Sequence, residues 1–232
     1  MKKIHRFIYP FSDTDRDIHI DDEALVKQLA RVLKFTKGET IILTNGAGLE
    51  AECEITAIHK NAVDVVVNKM SETEEMDSKK VVLYAAVLKR ENFELIAQKV
   101  TEVGVSAIVP VITSRTVKTG LNENRLVKII HEAVEQCGRT TIPTLFPAMK
   151  FEEALAHSIE NNNKTVLFDM SGNTPYETGN DIVGAFIGPE GGWTDEEIAL
   201  AREQGAEVWS LGENTLRGET AAIIASYISL RK

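Results

Sequence analysis

Two glycine-bearing stretches carry the side chains most able to do chemistry. The first is Phe186-Ile-Gly-Pro-Glu-Gly-Gly-Trp-Thr-Asp-Glu-Glu197, an apolar segment running into a Gly-rich turn and then a helix start. Gly188, Gly191 and Gly192 let a ligand approach the backbone closely, and they also suit an ordinary tight turn. No Gly-Lys-Ser/Thr follows, and the chain has no Gly-x-Gly-x-x-Gly, so neither a Walker loop nor a dinucleotide fingerprint is present. Glu190 inside the turn would repel a phosphate. A neutral or cationic ligand such as a sulfonium fits better. The second stretch is Leu211-Gly-Glu-Asn-Thr-Leu-Arg-Gly-Glu-Thr-Ala-Ala222, in which Gly212 and Gly218 bracket Arg217. An arginine there can be a surface charge. Two such loops, each after an expected parallel strand, are better explained by one shared pocket, with Leu167-Phe-Asp169 as a possible third wall.

The elements that must hold these loops follow from hydrophobic period. From about residue 81 onward, strands and helices alternate. The strands are Val81–Leu88, 107–112, 165–168, 182–187 and 207–211, and the helices are 91–103, 123–136, 151–159, 194–204 and 219–230. The unbroken apolar run of Val81–Leu88 marks a strand buried on both faces. Thr194 and Glu197 form a capping box at the start of one helix. This alternation predicts a parallel sheet covered by helices. Before residue 70 the segments 4–9, 40–44, 49–58 and 62–68 read as strands, interrupted by one helix over 22–33, which suggests a small β-barrel. The charged run Ser71-Glu-Thr-Glu-Glu-Met-Asp-Ser-Lys-Lys80 reads as a linker. The predicted class is therefore α/β, with domains over 1–72 and 73–232.

With the motifs in place, the chain resembles the ribosomal RNA small subunit methyltransferase E family, which modifies uridine N3 of 16S rRNA. The resemblance rests on Ile187-Gly-Pro-Glu-Gly-Gly-Trp193 paired with Leu211-Gly and Leu216-Arg-Gly-Glu-Thr-Ala221. Further matches are Arg6-Phe7, Gln98-Lys-Val-Thr-Glu-Val-Gly104, Pro110 to Arg115, and Glu132-Ala-Val-Glu-Gln-Cys-Gly-Arg139 with Pro143. The match spans essentially the whole chain. It departs from the family at Lys27-Gln28 and Val32-Leu33-Lys34, at Lys89-Arg90-Glu91, and at Glu213-Asn214-Thr215. The resemblance implies an N-terminal PUA-like RNA-binding barrel followed by a SPOUT-class domain with a C-terminal trefoil knot. It also implies a homodimer.

The same resemblance implies S-adenosyl-L-methionine as cofactor. The residues implied to hold it are Leu167, Ile187, Gly188, Pro189, Glu190, Gly191, Gly192, Leu211, Gly212, Leu216, Arg217, Thr220 and Ala221. Uridine N3 is protonated at neutral pH, so methylation needs a base or cations that stabilise the uridine anion. Arg217 and Arg115 are expected as the electrostatic partners and Glu135 and Glu190 as proton acceptors. Glu135 could instead pair with Arg139 at i,i+4. Arg139 could complement a helix C-terminus ended by Gly138 or bind RNA phosphate. Arg6, Arg31, Lys89, Arg90, Arg115 and Arg139 are the expected RNA contacts. Trp193 either covers adenine or packs the helix start.

Composition limits the alternatives. The 232 residues carry 26 Lys and Arg against 35 Asp and Glu, a formal charge of -9 spread over both halves. Bulk charge therefore argues against promiscuous nucleic-acid binding, and a local basic patch that includes Lys118 would have to serve a structured 16S rRNA within the small subunit. Two cysteines and five histidines, widely spaced, exclude a disulfide scaffold and suggest no metal centre. No stretch reaches about 20 apolar residues and the first residues lack an apolar signal core, so a cytoplasmic protein away from membranes is expected. The competing reading is a non-catalytic RNA-binding or ribosome-assembly protein on the same fold. Cofactor titration separates the two.

Overall fold

A computed structural model describes residues 4–73, 79–117, 120–173 and 182–231. Its contacts divide the chain into two units, one of residues 1–76 with 134–142, the other of 77–133 with 143–232.

The first unit is built on strands β1 (Arg6–Ile8), β2 (Asp17–Ile20), β3 (Thr40–Thr44), β4 (Leu49–Ile58) and β5 (Val63–Glu72), in the order β1-β3-β4-β5-β2. Only β1 and β3 run parallel. The result is a curled half-barrel of PUA-like form, in which β1 and β2 remain as edges, rather than a closed barrel. Alternation explains the sheet: Ala51, Cys53 and Ile55 of β4 are buried while Glu52 faces out. Against this face packs α1 (Glu23–Lys27), capped by the Asp22 carboxylate on the Leu25 N–H at 2.8 Å. The helix expected over 22–33 changes character after one turn. Gln28–Val32 is π-helical and the chain leaves it through Lys34, whose φ of 54° lies in the left-handed region. Strand β2 has no counterpart in the sequence reading.

The second unit is a fully parallel sheet. Its strands are β6 (Val81–Ala86), β7 (Ala107–Ile112), β8 (Thr144–Leu145), β9 (Met149–Lys150), β10 (Lys164–Asn173), β11 (Val183–Ile187) and β12 (Glu207–Trp209). They run in the order β12-β10-β11-β6-β7-β8, and β9 also pairs with β7. Its helices are α2 (Arg90–Val103), α3 (Glu123–Cys137), α4 (Phe151–Asn161), α5 (Asp195–Glu203) and α6 (Gly218–Leu230). Strands β6 and β11, both almost wholly buried, form the centre, with α6 packed on both and on α2. Two further helices cover the sheet: α4 lies on β7 and β10, and α5 on β12. From β6 the chain first moves outward through β7 and β8, then crosses to β10 on the other side of β6. Strands β6 and β11 thus flank a switch in direction, where parallel sheets open a crevice beyond their carboxyl ends.

Candidate active site

A cavity of about 510 Å³ occupies that crevice, within the usual size range of small-molecule sites. Four strand ends supply its wall. Lys89 and Asn92 come from the start of α2 after β6, Phe168 to Met170 from β10, Ile187 to Trp193 except Gly191 from the turn after β11, and Leu211 with Asn214 to Glu219 from the loop after β12. Phe168, Ile187, Leu211 and Leu216 give it an apolar side. Asp169, Glu190 and Glu219 add three carboxylates against two cations, Lys89 and Arg217.

The Gly-rich turn is held open from behind. The Arg115 Nη1, in the loop after β7, donates to the Gly191 carbonyl at 2.6 Å and the Trp193 carbonyl at 3.0 Å. The neighbouring Ser114 N–H donates to Glu197 Oε1 at 2.9 Å, while Glu197 Oε2 accepts from the Thr194 N–H at 2.8 Å. The Glu197 N–H donates to the Thr194 hydroxyl at 3.2 Å, completing the capping box expected from sequence. The Glu196 carboxyl is held below the usual range by its own backbone N–H, by the Thr194 hydroxyl and by the Arg115 charge. Within the turn Gly192 has φ +69°, which a side chain would strain. A Cβ on Gly188 would meet the Trp193 indole at 3.1–3.3 Å, so glycine is what lets ring and turn lie together. Trp193 is 4% exposed, packs on Phe151 and donates from Nε1 to the Phe168 carbonyl at 3.1 Å. That bond ties the end of β10 to the turn after β11. Trp193 thus packs at the helix start and also lines the cavity.

Of the residues singled out from sequence, Ile187, Gly188, Pro189, Glu190, Gly192, Leu211, Leu216, Arg217, Ala221 and Lys89 meet at this cavity. Leu167 does not. It is fully buried in the core with Phe186, because alternation along β10 turns it away from its neighbours Phe168 and Val166. Gly191, Gly212 and Thr220 also lie off the wall, and Gly191 faces the Arg115 side chain. Arg115 supports the turn instead of lining the cavity. Glu135 accepts the Ile8 N–H at 3.0 Å, a long-range bond that no i,i+4 pattern anticipates. Arg6 pairs with Glu50 at 3.2 Å beside Gly138, which ends α3 as expected. Arg139 is half-buried, and its guanidinium donates to the Thr141 hydroxyl at 3.4 Å. Arg31 is exposed on the π-helical turn, and Arg90 is exposed at the start of α2. Lys118 lies outside the described residues. Asn92, Met170 and Glu219 join the wall without having been singled out, and Asn214, Thr215 and Gly218, named in the second loop motif, join it without having been assigned to the cofactor. The strand-end rule already pointed to Asp169, and the second loop motif contained the last four, but nothing local marks Asn92. Among the described residues no group of three or more His, Cys, Asp or Glu side chains is arranged to hold a metal ion.

Comparison with known proteins agrees with this layout. Residues 75–229 match the RNA methyltransferase domain family, and residues 22–68 match the RNA methyltransferase PUA domain family. The chain is 28% identical to ribosomal RNA small subunit methyltransferase E of Bacillus subtilis (strain 168), over 93% of this chain and 87% of that protein. It is 30% identical to the protein of the same name from Synechocystis sp., over 87% of this chain and 69% of that one. Among solved structures, ribosomal RNA small subunit methyltransferase E from Neisseria gonorrhoeae, bound to S-adenosyl methionine, superposes with a TM-score of 0.86 at 26% identity, covering 97% of this chain and 95% of that one. A Legionella pneumophila protein solved in complex with the bound cofactor SAM gives 0.85 at 28%, covering 98% and 97%.

Proposed function

Because the chain belongs to the ribosomal RNA small subunit methyltransferase E family, we propose that it methylates N3 of a uridine in 16S ribosomal RNA, using S-adenosylmethionine. The observation that carries the reading is the cavity at the carboxyl edge of the sheet, where the Gly-rich turn presents open backbone and the Leu211–Glu219 loop closes the other side. The residues fit such a group. Phe168, Ile187, Leu211 and Leu216 offer an apolar bed for an adenine ring, and the backbone is approachable at Gly192, where an added side chain would meet nothing within 4 Å. Asp169, Glu190 and Glu219 are the carboxylates that would face a cationic sulfur and ribose hydroxyls. S-adenosylmethionine, when bound, supplies a methyl group on a positively charged sulfur.

The chain's own residues must position the base and manage one proton. Arg217 in the cavity wall would stabilise the negative charge that develops on the uracil ring as N3 loses its proton. Glu190, in the same wall, is the proton acceptor of this proposal. Arg115 acts as a positioning residue through the two carbonyls of the turn, and Glu135 through its hold on β1. Lys89, in the cavity wall, and Arg90, the residue after it, are proposed as RNA contacts. Arg6 and Arg31 are proposed as RNA contacts of an RNA-reading domain over 1–72, and Arg139 as an RNA contact within the knotted methyltransferase domain over 73–232. The substrate is 16S rRNA within the small ribosomal subunit, the protein acts as a homodimer, and its location is the cytoplasm. No described helix is long and apolar enough to cross a membrane.

Two measurements test the assignment. Calorimetry with S-adenosylhomocysteine should show binding, which separates the enzyme from a non-catalytic assembly protein on the same fold. Nucleoside mass spectrometry of 16S rRNA should lose 3-methyluridine in a deletion strain and regain it when the wild-type gene, but not Arg217→Ala, is restored. Retention of 3-methyluridine in the deletion strain would sink the uridine assignment.

A further inference from the structure

At the starts of α2 and α3, two arginines share one carboxylate oxygen. Glu94 Oε1 accepts from Arg90 Nε at 2.9 Å and from Arg125 Nε at 2.7 Å, the second reaching from the start of α3 across 31 positions of sequence. The Glu94 side chain is only 16% exposed, whereas Arg90 and Arg125 are 61% and 53% exposed. Arginine–carboxylate pairs frequently present two nitrogens to two carboxylate oxygens. Here each guanidinium spends only Nε. Among the described residues the four Nη nitrogens have no protein partner, and neither has Glu94 Oε2.

Charge and position agree. The two Nε atoms lie within about 6 Å of each other through their common oxygen, so the two positive charges repel, and one carboxylate neutralises only one of them. The arrangement has room, electrostatically and in hydrogen bonds, for one more anion. Lys89, which lines the cavity, immediately precedes Arg90; the Arg90 and Glu94 side chains, each two residues from Asn92, lie on the other side of α2 from it, so the free forks stand outside the cavity, next to Lys89. Lys89 adds a third cation. Glu91 and Glu123, exposed in the first turns of α2 and α3, flank the group and limit it to a single anionic group rather than a track of them.

We propose that Arg125, together with Arg90 and oriented by Glu94, grips one phosphodiester of the RNA strand adjacent to the nucleotide that enters the cavity. The inference rests on the RNA-methylating reading above. Arg90 is among the RNA contacts already expected; Arg125 and the orienting Glu94 are what neither the motifs nor the resemblance supplies. Glu94 is the positioning residue: it fixes both guanidinium groups by their inner nitrogens and turns flexible surface side chains into a preorganised fork.

The test compares wild type with Arg125→Ala, Arg125→Lys and Glu94→Gln. The probe is small ribosomal subunits from the deletion strain, with binding measured over a salt series, methylation kinetics measured in parallel, and S-adenosylhomocysteine titrated separately. Arg125→Ala should raise the KM for subunits roughly tenfold, leave kcat and S-adenosylhomocysteine affinity unchanged, and lower the salt slope of binding by about one. Arg125→Lys keeps the charge without the fork and should recover less than half of the loss. Glu94→Gln should also weaken binding, although it makes the surface more positive. Tighter binding by Glu94→Gln would show that bulk charge alone operates, and would overturn the clamp. So would an Arg125→Ala protein with a lower melting temperature but an unchanged KM and salt slope, which would make the group a brace between α2 and α3. Binding is read independently of turnover. A wild type that leaves 16S rRNA unmethylated, yet loses subunit affinity on Arg125→Ala, would fault the reaction assigned above and keep the clamp.

Discussion

An arginine that holds two backbone carbonyls differs in its consequences from one that faces a reacting base, and Arg115 holds two. Its loss would free the turn that forms one wall of the cavity, so the damage belongs in binding. Hydrogen bonds to a charged group are worth about 1.5–3 kcal/mol, less where water reaches them, so Arg115→Ala should weaken S-adenosylhomocysteine binding roughly tenfold with a smaller change in kcat. Calorimetry beside steady-state kinetics decides. Intact affinity with a large fall in kcat would return Arg115 to the electrostatic role expected from its sequence. The wider lesson concerns direction. The two loop motifs identified the segments that line the cavity but could not say which way each residue points. Leu167 turns into the core by strand alternation, Gly191 turns toward Arg115, and Glu135 is drawn to the Ile8 N–H. Asn92 and Arg125 were invisible because their significance comes from what α2 and α3 bring beside them, not from any local pattern.

Among the elements, α5 shows best how secondary structure and site are coupled. Its capping box closes an ordinary helix start, yet the same Glu197 carboxylate reaches the Ser114 N–H in the loop after β7. Thr194→Ala removes one side-chain cap and should cost about 1 kcal/mol. Glu197→Ala leaves two backbone N–H groups without their partner at a side chain only 5% exposed, and should cost about 2–3 kcal/mol. Thermal melts that rank Glu197→Ala no worse than Thr194→Ala would remove the bridge between the loops from the account. This helix was legible because a capping box is local chemistry, as were the buried strands β6 and β11 and the amphipathic α2 and α3. What escaped was non-local. Strand β2 is four residues with polar flanks, and becomes a strand only by pairing Ile18 with Val65 and Ile20 with Val63. Strands β8 and β9 are two residues each and exist only as additions to β7. Strand β10 runs five residues beyond Phe168, to Asn173, where Gly172 allows close approach to the Trp209 backbone.

For the whole molecule, net charge and apolar surface pull in opposite directions. A formal charge of -9 favours separate, soluble chains, but α6 is not built as a solvated helix. After Glu219 it has no charged residue up to Leu230; one face packs on β6, β11 and α2, and the rest leaves Ile223, Ile224 and Ile228 half-buried and Tyr227 at 52% exposure. The Arg231 guanidinium lies over the Tyr227 ring at 5.1 Å. A helix surface of this composition gains by being covered, and the homodimer proposed above provides the cover. Sedimentation equilibrium should therefore give twice 25.6 kDa at micromolar concentration. Tyr227→Glu, which places a carboxylate in the covered face, should shift the mass to that of one chain without lowering the melting temperature of the isolated subunit. Because both partners carry the same negative charge, added salt should strengthen the wild-type dimer, opposite in sign to its effect on RNA binding. A wild type that sediments as a single chain at all salt concentrations would reject the dimer. A Tyr227→Glu protein that remains dimeric would move the interface away from α6.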